Sequence, residues 1–132
     1  MKSDITLAES ATTHPDGTLS MLRAGIANVQ GRKPPFTLNA ALVVRITGDE
    51  SDKGEHRTEI KGVNESGAEF MPAIKGQFSV PPGGGTSGII LNFQAAFEQP
   101  GRYTFKLAVD EVEIDSLTIT VSQLPAATGA TS

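Results

Sequence analysis

The run FTLNAALVVRI sets Phe36, Leu38, Ala40, Leu42, Val44 and Ile46 at every second position. Side chains alternate across a strand, so all six face one side of a sheet; on a helix of 3.6 residues per turn they would scatter around the axis. The same alternation returns as Ile89, Leu91, Phe93, Ala95 and Phe97, and again as Tyr103, Phe105, Leu107 and Val109. No long stretch keeps a helical period. A chain patterned in this way is confined to stacked or closed sheets, because each strand has one apolar face to bury.

Turn residues fall between these runs. Ile5 and Leu7 begin a first strand that ends at HPDG, where Pro15 presets φ for a turn and Gly17 supplies a positive φ. TLSMLRAGIANV is then read as the returning partner strand. A polar loop, TGDESDKGEH, separates the long run from the strand RTEIKGV, which ends in a turn at Asn64–Gly67. PPGGGTSG connects AIKGQFSV with IILNFQAAF. Downstream, Val112 and Ile114 are followed by Leu117, Ile119 and Val121 with reversed parity, which predicts a β-bulge near Asp115 and Ser116. One domain over residues 1–123 is expected, with 124–132 as a frayed tail of small polar residues.

The 132 residues are enough for one core, and the 38% apolar and 20% charged content is that of a folding chain. A net charge of −4 offers no positive field for phosphate backbones or anionic lipid, so neither nucleic acid nor membrane is an expected partner. The N-terminal residues have no apolar signal region, and no stretch approaches the roughly 18 apolar residues of a spanning helix. With no cysteine, thiolate nucleophiles, disulfides and sulfur-ligated zinc are excluded. A cytoplasmic protein is the expectation.

Gly101-Arg102-Tyr103, followed by Phe105, resembles the tyrosine corner that opens strand F of immunoglobulin-like sandwiches, with Phe105 where a cysteine often stands. DITLAES, HPDGTLSMLRAGIANV, PPFTLNAALVVRI and PGRYTFKLAVDEVEI are together similar to a family of small uncharacterised bacterial proteins with a predicted sandwich fold. The shared features are a hairpin with a D-G turn, a proline before the third strand and a P-G-R-Y hairpin, which describe turns rather than chemistry. The fold expected is an all-β, immunoglobulin-like antiparallel β-sandwich of about seven to nine strands. The resemblance implies no activity.

Few residues qualify as chemistry. Asp49, Ser51 and Gly54 occupy the first, third and sixth places of a calcium-loop pattern, yet Ile60 stands at the twelfth, where a bidentate glutamate belongs. Asp49, Glu50, Asp52 and Glu55 are therefore read as a solvated charge run rather than a metal site. His14 belongs to its turn, and His56 would need Ser66 or Ser87 beside it to form a nucleophilic triad, without any G-x-S-x-G elbow to support one. PPGGGTSG lacks the P-loop lysine and leads into a strand rather than a helix. Asp110 and Glu111 are read as exposed residues of a hairpin tip.

No catalytic, cofactor or metal residue is assigned. The function expected is a non-enzymatic module that binds protein, or itself, through an edge strand or through GDESDKGE and PPGGGTSG. The alternatives are a small-ligand or carbohydrate-binding sandwich, for which 5% aromatic residues and no tryptophan are poor material, and a structural subunit such as that of a phage particle.

Overall fold

The computed structural model describes residues 1–16 and 18–125. These form ten strands: β1 (Lys2–Ala8), β2 (Ser10–Thr13), β3 (Leu19–Leu22), β4 (Asn28–Gly31), β5 (Phe36–Gly48), β6 (Gly54–Asn64), β7 (Ile74–Val80), β8 (Gly85–Phe97), β9 (Gly101–Val109) and β10 (Val112–Gln123). A single 3-10 turn, Glu50–Asp52, is the only helical element among the described residues. The expectation of about seven to nine strands is corrected because two runs read as single strands are each divided. The first breaks at Glu9, whose N–H donates to the Leu22 carbonyl at 2.9 Å. The second breaks between β3 and β4, where Arg23 and Gly25 take φ of 52° and 86°.

Three sheets result, in the orders β1-β5-β8, β4-β10-β9-β6-β7 and β2-β3; the chain is all-β, and one sheet curls into a half-barrel. Pairing is antiparallel except between β4 and β10, where Asn28–Gly31 runs parallel to Thr120–Gln123. This corrects the all-antiparallel expectation. After β3 the chain is anchored by Gly25 and Ile26, both donating to the Leu7 carbonyl, and only then reaches the last strand. Parallel partners need a long crossover, here supplied by most of the domain.

The alternating residues meet where the two larger sheets face each other. Phe36, Ala40, Leu42, Val44 and Ile46 of β5 pack against Tyr103, Phe105, Leu107 and Val109 of β9, with Ile60, Phe78, Ile119 and Val121 completing the core. The bulge lies at Ile114, one residue before the predicted place: Glu113 pairs with Ala108 and Asp115 with Leu107, so the parity reverses there. Tyr103 is 7% exposed and donates its hydroxyl to the Gln99 carbonyl at 2.5 Å, with its ring 4.5 Å from that of Phe97. That is the corner expected from Gly101-Arg102-Tyr103. Gly101 takes φ 149°, and a Cβ there would stand 3.2 Å from Glu65 Oε1, which accepts the Arg102 N–H.

The opposite face of β5 is buried too. Ala41 and Val43, with Ala8, lie beneath the β2-β3 ribbon, and Leu19 of that ribbon sits over Gly88 of β8. At the ribbon's tip, Asp16 Oδ1 accepts from the Thr18 N–H at 3.0 Å and from its hydroxyl at 2.6 Å, which shapes the HPDG turn. The conformation expected of Gly17, and the expected tail from residue 126 onward, lie outside the described residues.

Candidate functional site

The acidic loop is built by its own backbone. Asp49 caps the 3-10 turn: its Oδ1 accepts from the Ser51 N–H at 2.9 Å and from the Ser51 hydroxyl, while its N–H donates to Asp52 Oδ2 at 3.0 Å. The Ser51 hydroxyl, then the Ser51 N–H, hold the Asp49 carboxyl below the usual carboxylate range. Glu50 pairs with Lys53 at 3.2 Å and accepts from the Gly83 N–H. These carboxylates point at different donors, and no group of three His, Asp or Glu side chains converges among the described residues. Ile60, at the twelfth place of the calcium pattern, is fully buried in the core.

Beside this loop stands a contact that sequence reasoning missed. His56 Nδ1 lies 2.6 Å from Asp110 Oδ2 and its Nε2 lies 2.5 Å from the Asp52 carbonyl oxygen. Both neighbours only accept, so the two contacts are hydrogen bonds at the same time only when the ring is the doubly protonated imidazolium. The Asp110 carboxylate first, then the Asp52 carbonyl, raise the His56 pKa above its ordinary value. The Arg57 N–H first, at 3.0 Å, then His56, lower that of Asp110. The ring stacks on Phe78 with 5.2 Å between centroids. Asp110 and Glu111 are the two loop residues of the β9-β10 hairpin, with φ of 49° and 71°, the signs a type I′ turn requires. The only advance signal for the contact was an aspartate where Asn-Gly is usual.

Among the described residues no serine joins His56. Ser66 donates its hydroxyl to Asn64 Oδ1 at 2.8 Å and Ser87 donates to the Ser79 carbonyl at 3.0 Å. His14 Nε2 instead meets Ser20 Oγ at 2.6 Å across the exposed ribbon. The hairpin tip borders a broad, open groove of about 720 Å³ over β6 and β7, lined by Arg57, Glu59, Lys75 and Gln77. Glu59 is shared there by Lys61 at 3.5 Å and Lys75 at 4.0 Å. Under the groove Thr58 is 3% exposed, and its Oγ1 has no hydrogen-bond partner among the described residues.

The PPGGGTSG segment makes a tight turn rather than a cradle. The Gly84 N–H donates to the Pro81 carbonyl at 2.9 Å. Gly84 takes φ 89°, and a Cβ on it would stand 2.7 Å from the Gly48 carbonyl oxygen, so only glycine fits. The flanking strands do not pair as a hairpin: β7 joins the five-stranded sheet and β8 the three-stranded one. Apart from the Ser87 to Ser79 bond, no backbone ladder joins them among the described residues, and this leaves a seam between the two sheets.

Along this seam β8 keeps one partner. Its register with β5 runs unbroken from Phe36↔Phe97 to Gly48↔Gly85, and its other edge has no backbone partner strand among the described residues. All 13 residues, GTSGIILNFQAAF, are uncharged and none is proline. Ile89, Leu91 and Phe93 point inward yet are only half-buried, as is Ile74 of β7. Elsewhere edges are short or charged: β4 has four residues, while β1 carries Lys2 and Asp4 and β7 carries Lys75. Charge, proline and brevity are the usual means of blunting an edge, and β8 has none of them.

Among the described residues no helix is long and apolar enough to cross a membrane. No curated protein matches the chain. Residues 3–122, nearly the whole of the chain, match the family of unknown function DUF6941, and the chain belongs to that family.

Proposed function

We propose that this protein is a non-enzymatic binding or assembly module whose working surface is the free edge of β8. The observation that carries the reading is the uncharged, proline-free 13-residue edge strand with half-buried apolar side chains beneath it. An extended polypeptide laid along it would complete the backbone hydrogen bonds of β8 and cover Ile89, Leu91 and Phe93. The commitment of both His56 nitrogens and of the Asp49, Glu50 and Asp52 carboxylates to internal bonds supports a structural rather than catalytic role for them. The two facing sheets and the Tyr103 corner support reading the fold as an immunoglobulin-like variant that departs from the type at the parallel β4-β10 pair. A chain without cysteine suits a reducing, cytoplasmic setting.

The test is capture from the native host with wild type and with Asn92→Lys, an exposed change that places a charge on the β8 edge. Partners held by wild type and lost by the variant, with both equally folded, are the expected outcome. Partners held equally by both, or by neither, contradict the reading.

A further inference from the structure

We propose that the occupant of the β8 edge is the β8 edge of a second copy of this chain, paired antiparallel about a two-fold axis at Leu91. The inference rests on the edge-binding reading above and names its partner.

The accessible part of the edge is bounded on both sides. Toward its start, Ser87 is tied to Ser79 of β7; toward its end, Ala95 and Phe97 are buried, with the Phe70 ring 5.1 Å from that of Phe97. What remains open is Gly88–Gln94, and Leu91 is its midpoint. Antiparallel pairing about Leu91 sets Leu91 opposite Leu91, Ile89 opposite the second copy's Phe93, and Ile90 opposite the second copy's Asn92. Residues opposite one another in an antiparallel pair point to the same face. Each half-buried inward residue of one copy therefore meets an inward residue of the other, and the apolar seam closes upon itself.

Charge favours the same occupant. A net charge of −4 would resist self-association through most surfaces, because each approach brings like charges together. From Gly85 to Phe97 there is none to oppose. An isologous contact of this kind closes after two copies, so it yields a dimer rather than a fibre, and joins two three-stranded sheets into one of six.

Sedimentation equilibrium of the full chain over a wide concentration range tests the pairing. The expected result for wild type is a mass rising from 13.8 kDa to twice that value, with Asn92→Lys remaining at 13.8 kDa and equally folded. Because the chain has no cysteine, Leu91→Cys provides a direct probe of the axis: oxidation should link two copies at that one position, whereas Lys75→Cys on β7 should not link. Wild type that stays at 13.8 kDa throughout overturns the self-pairing; if Asn92→Lys still abolishes capture of another protein, the edge-binding reading survives with a different occupant. A dimer that Asn92→Lys leaves intact, and that Leu91→Cys does not link, likewise overturns the self-pairing, and unchanged capture of other proteins by Asn92→Lys overturns the edge-binding reading with it.

Discussion

Strands β8 and β9 are joined by Glu98–Pro100 and carry the same alternation, yet they end in different states. In β9, flanked by β10 and β6, Tyr103, Phe105, Leu107 and Val109 are all buried. In β8, flanked only by β5, Ile89, Leu91 and Phe93 remain half-buried over the part of the strand that faces the seam. Period-two patterning tells which side chains face the core. How completely they are covered depends on lateral neighbours, which the pattern does not encode. The closed side is thus the better covered of the two, and the open side is the surface proposed to take a partner.

The comparison can be broken first on its closed side. Tyr103→Ala removes a buried ring from the Phe97 and Phe70 cluster and should cost about 3–5 kcal/mol, whereas Tyr103→Phe, which deletes only the hydroxyl bonded to Gln99, should cost about 0.5–1.5 kcal/mol. Urea midpoints of the two variants check this. Equal and small losses would remove Tyr103 from the core account. A change of opposite sign is expected at Thr58, whose buried hydroxyl has no partner: Thr58→Val should stabilise by about 1 kcal/mol. A loss of that size instead would show that the hydroxyl is satisfied in solution.

The polar end near the acidic loop sharpens the contrast through pH. The His56 pKa is raised in the folded chain, chiefly by Asp110, so the stability it contributes is complete below its unfolded value of about 6.5 and is lost as pH rises through the folded value. The lowered Asp110 carboxyl, held chiefly by the Arg57 N–H, contributes above its unfolded value of 3.8 and loses that contribution as pH falls through the folded one. Wild type should therefore lose more stability than His56→Gln as pH rises above about 6.5, since only the imidazolium can donate to both Asp110 and Asp52. Parallel pH profiles would remove the charged ring from the account. The smallest effect on stability is expected on the open side, where exposed Asn92→Lys should leave the urea midpoint within about 0.5 kcal/mol of wild type while abolishing association.

Much of the fold was legible in the sequence because each legible feature is local. Phe36 to Ile46 sorted one face of β5, the reversed parity after Ile114 marked the bulge, and Asn64–Gly67 closed where expected, with the Gly67 N–H donating to the Asn64 carbonyl. The break at Glu9 and the parallel docking of β4 were not legible, since nothing within Ser10–Thr13 or Asn28–Gly31 distinguishes a separate ribbon or a distant partner from a plain hairpin. The His56 to Asp110 contact, 54 residues apart in sequence, depends on β6 pairing with β9. The uncharged composition of β8 was visible from the start; that it lies at an edge required the sheet order.

Residue-resolved amide hydrogen exchange on the full chain, at low and at high concentration, distinguishes an open β8 edge from a covered one. In dilute solution the amides of Gly88–Gln94 should alternate, those directed at β5 protected and those directed at the seam exchanging freely, while the β9 amides are protected throughout. At high concentration, or with a captured partner, the free set should become protected and the rest stay unchanged. Uniform protection along β8 in dilute solution, or a free set that no concentration or partner ever slows, would contradict the account.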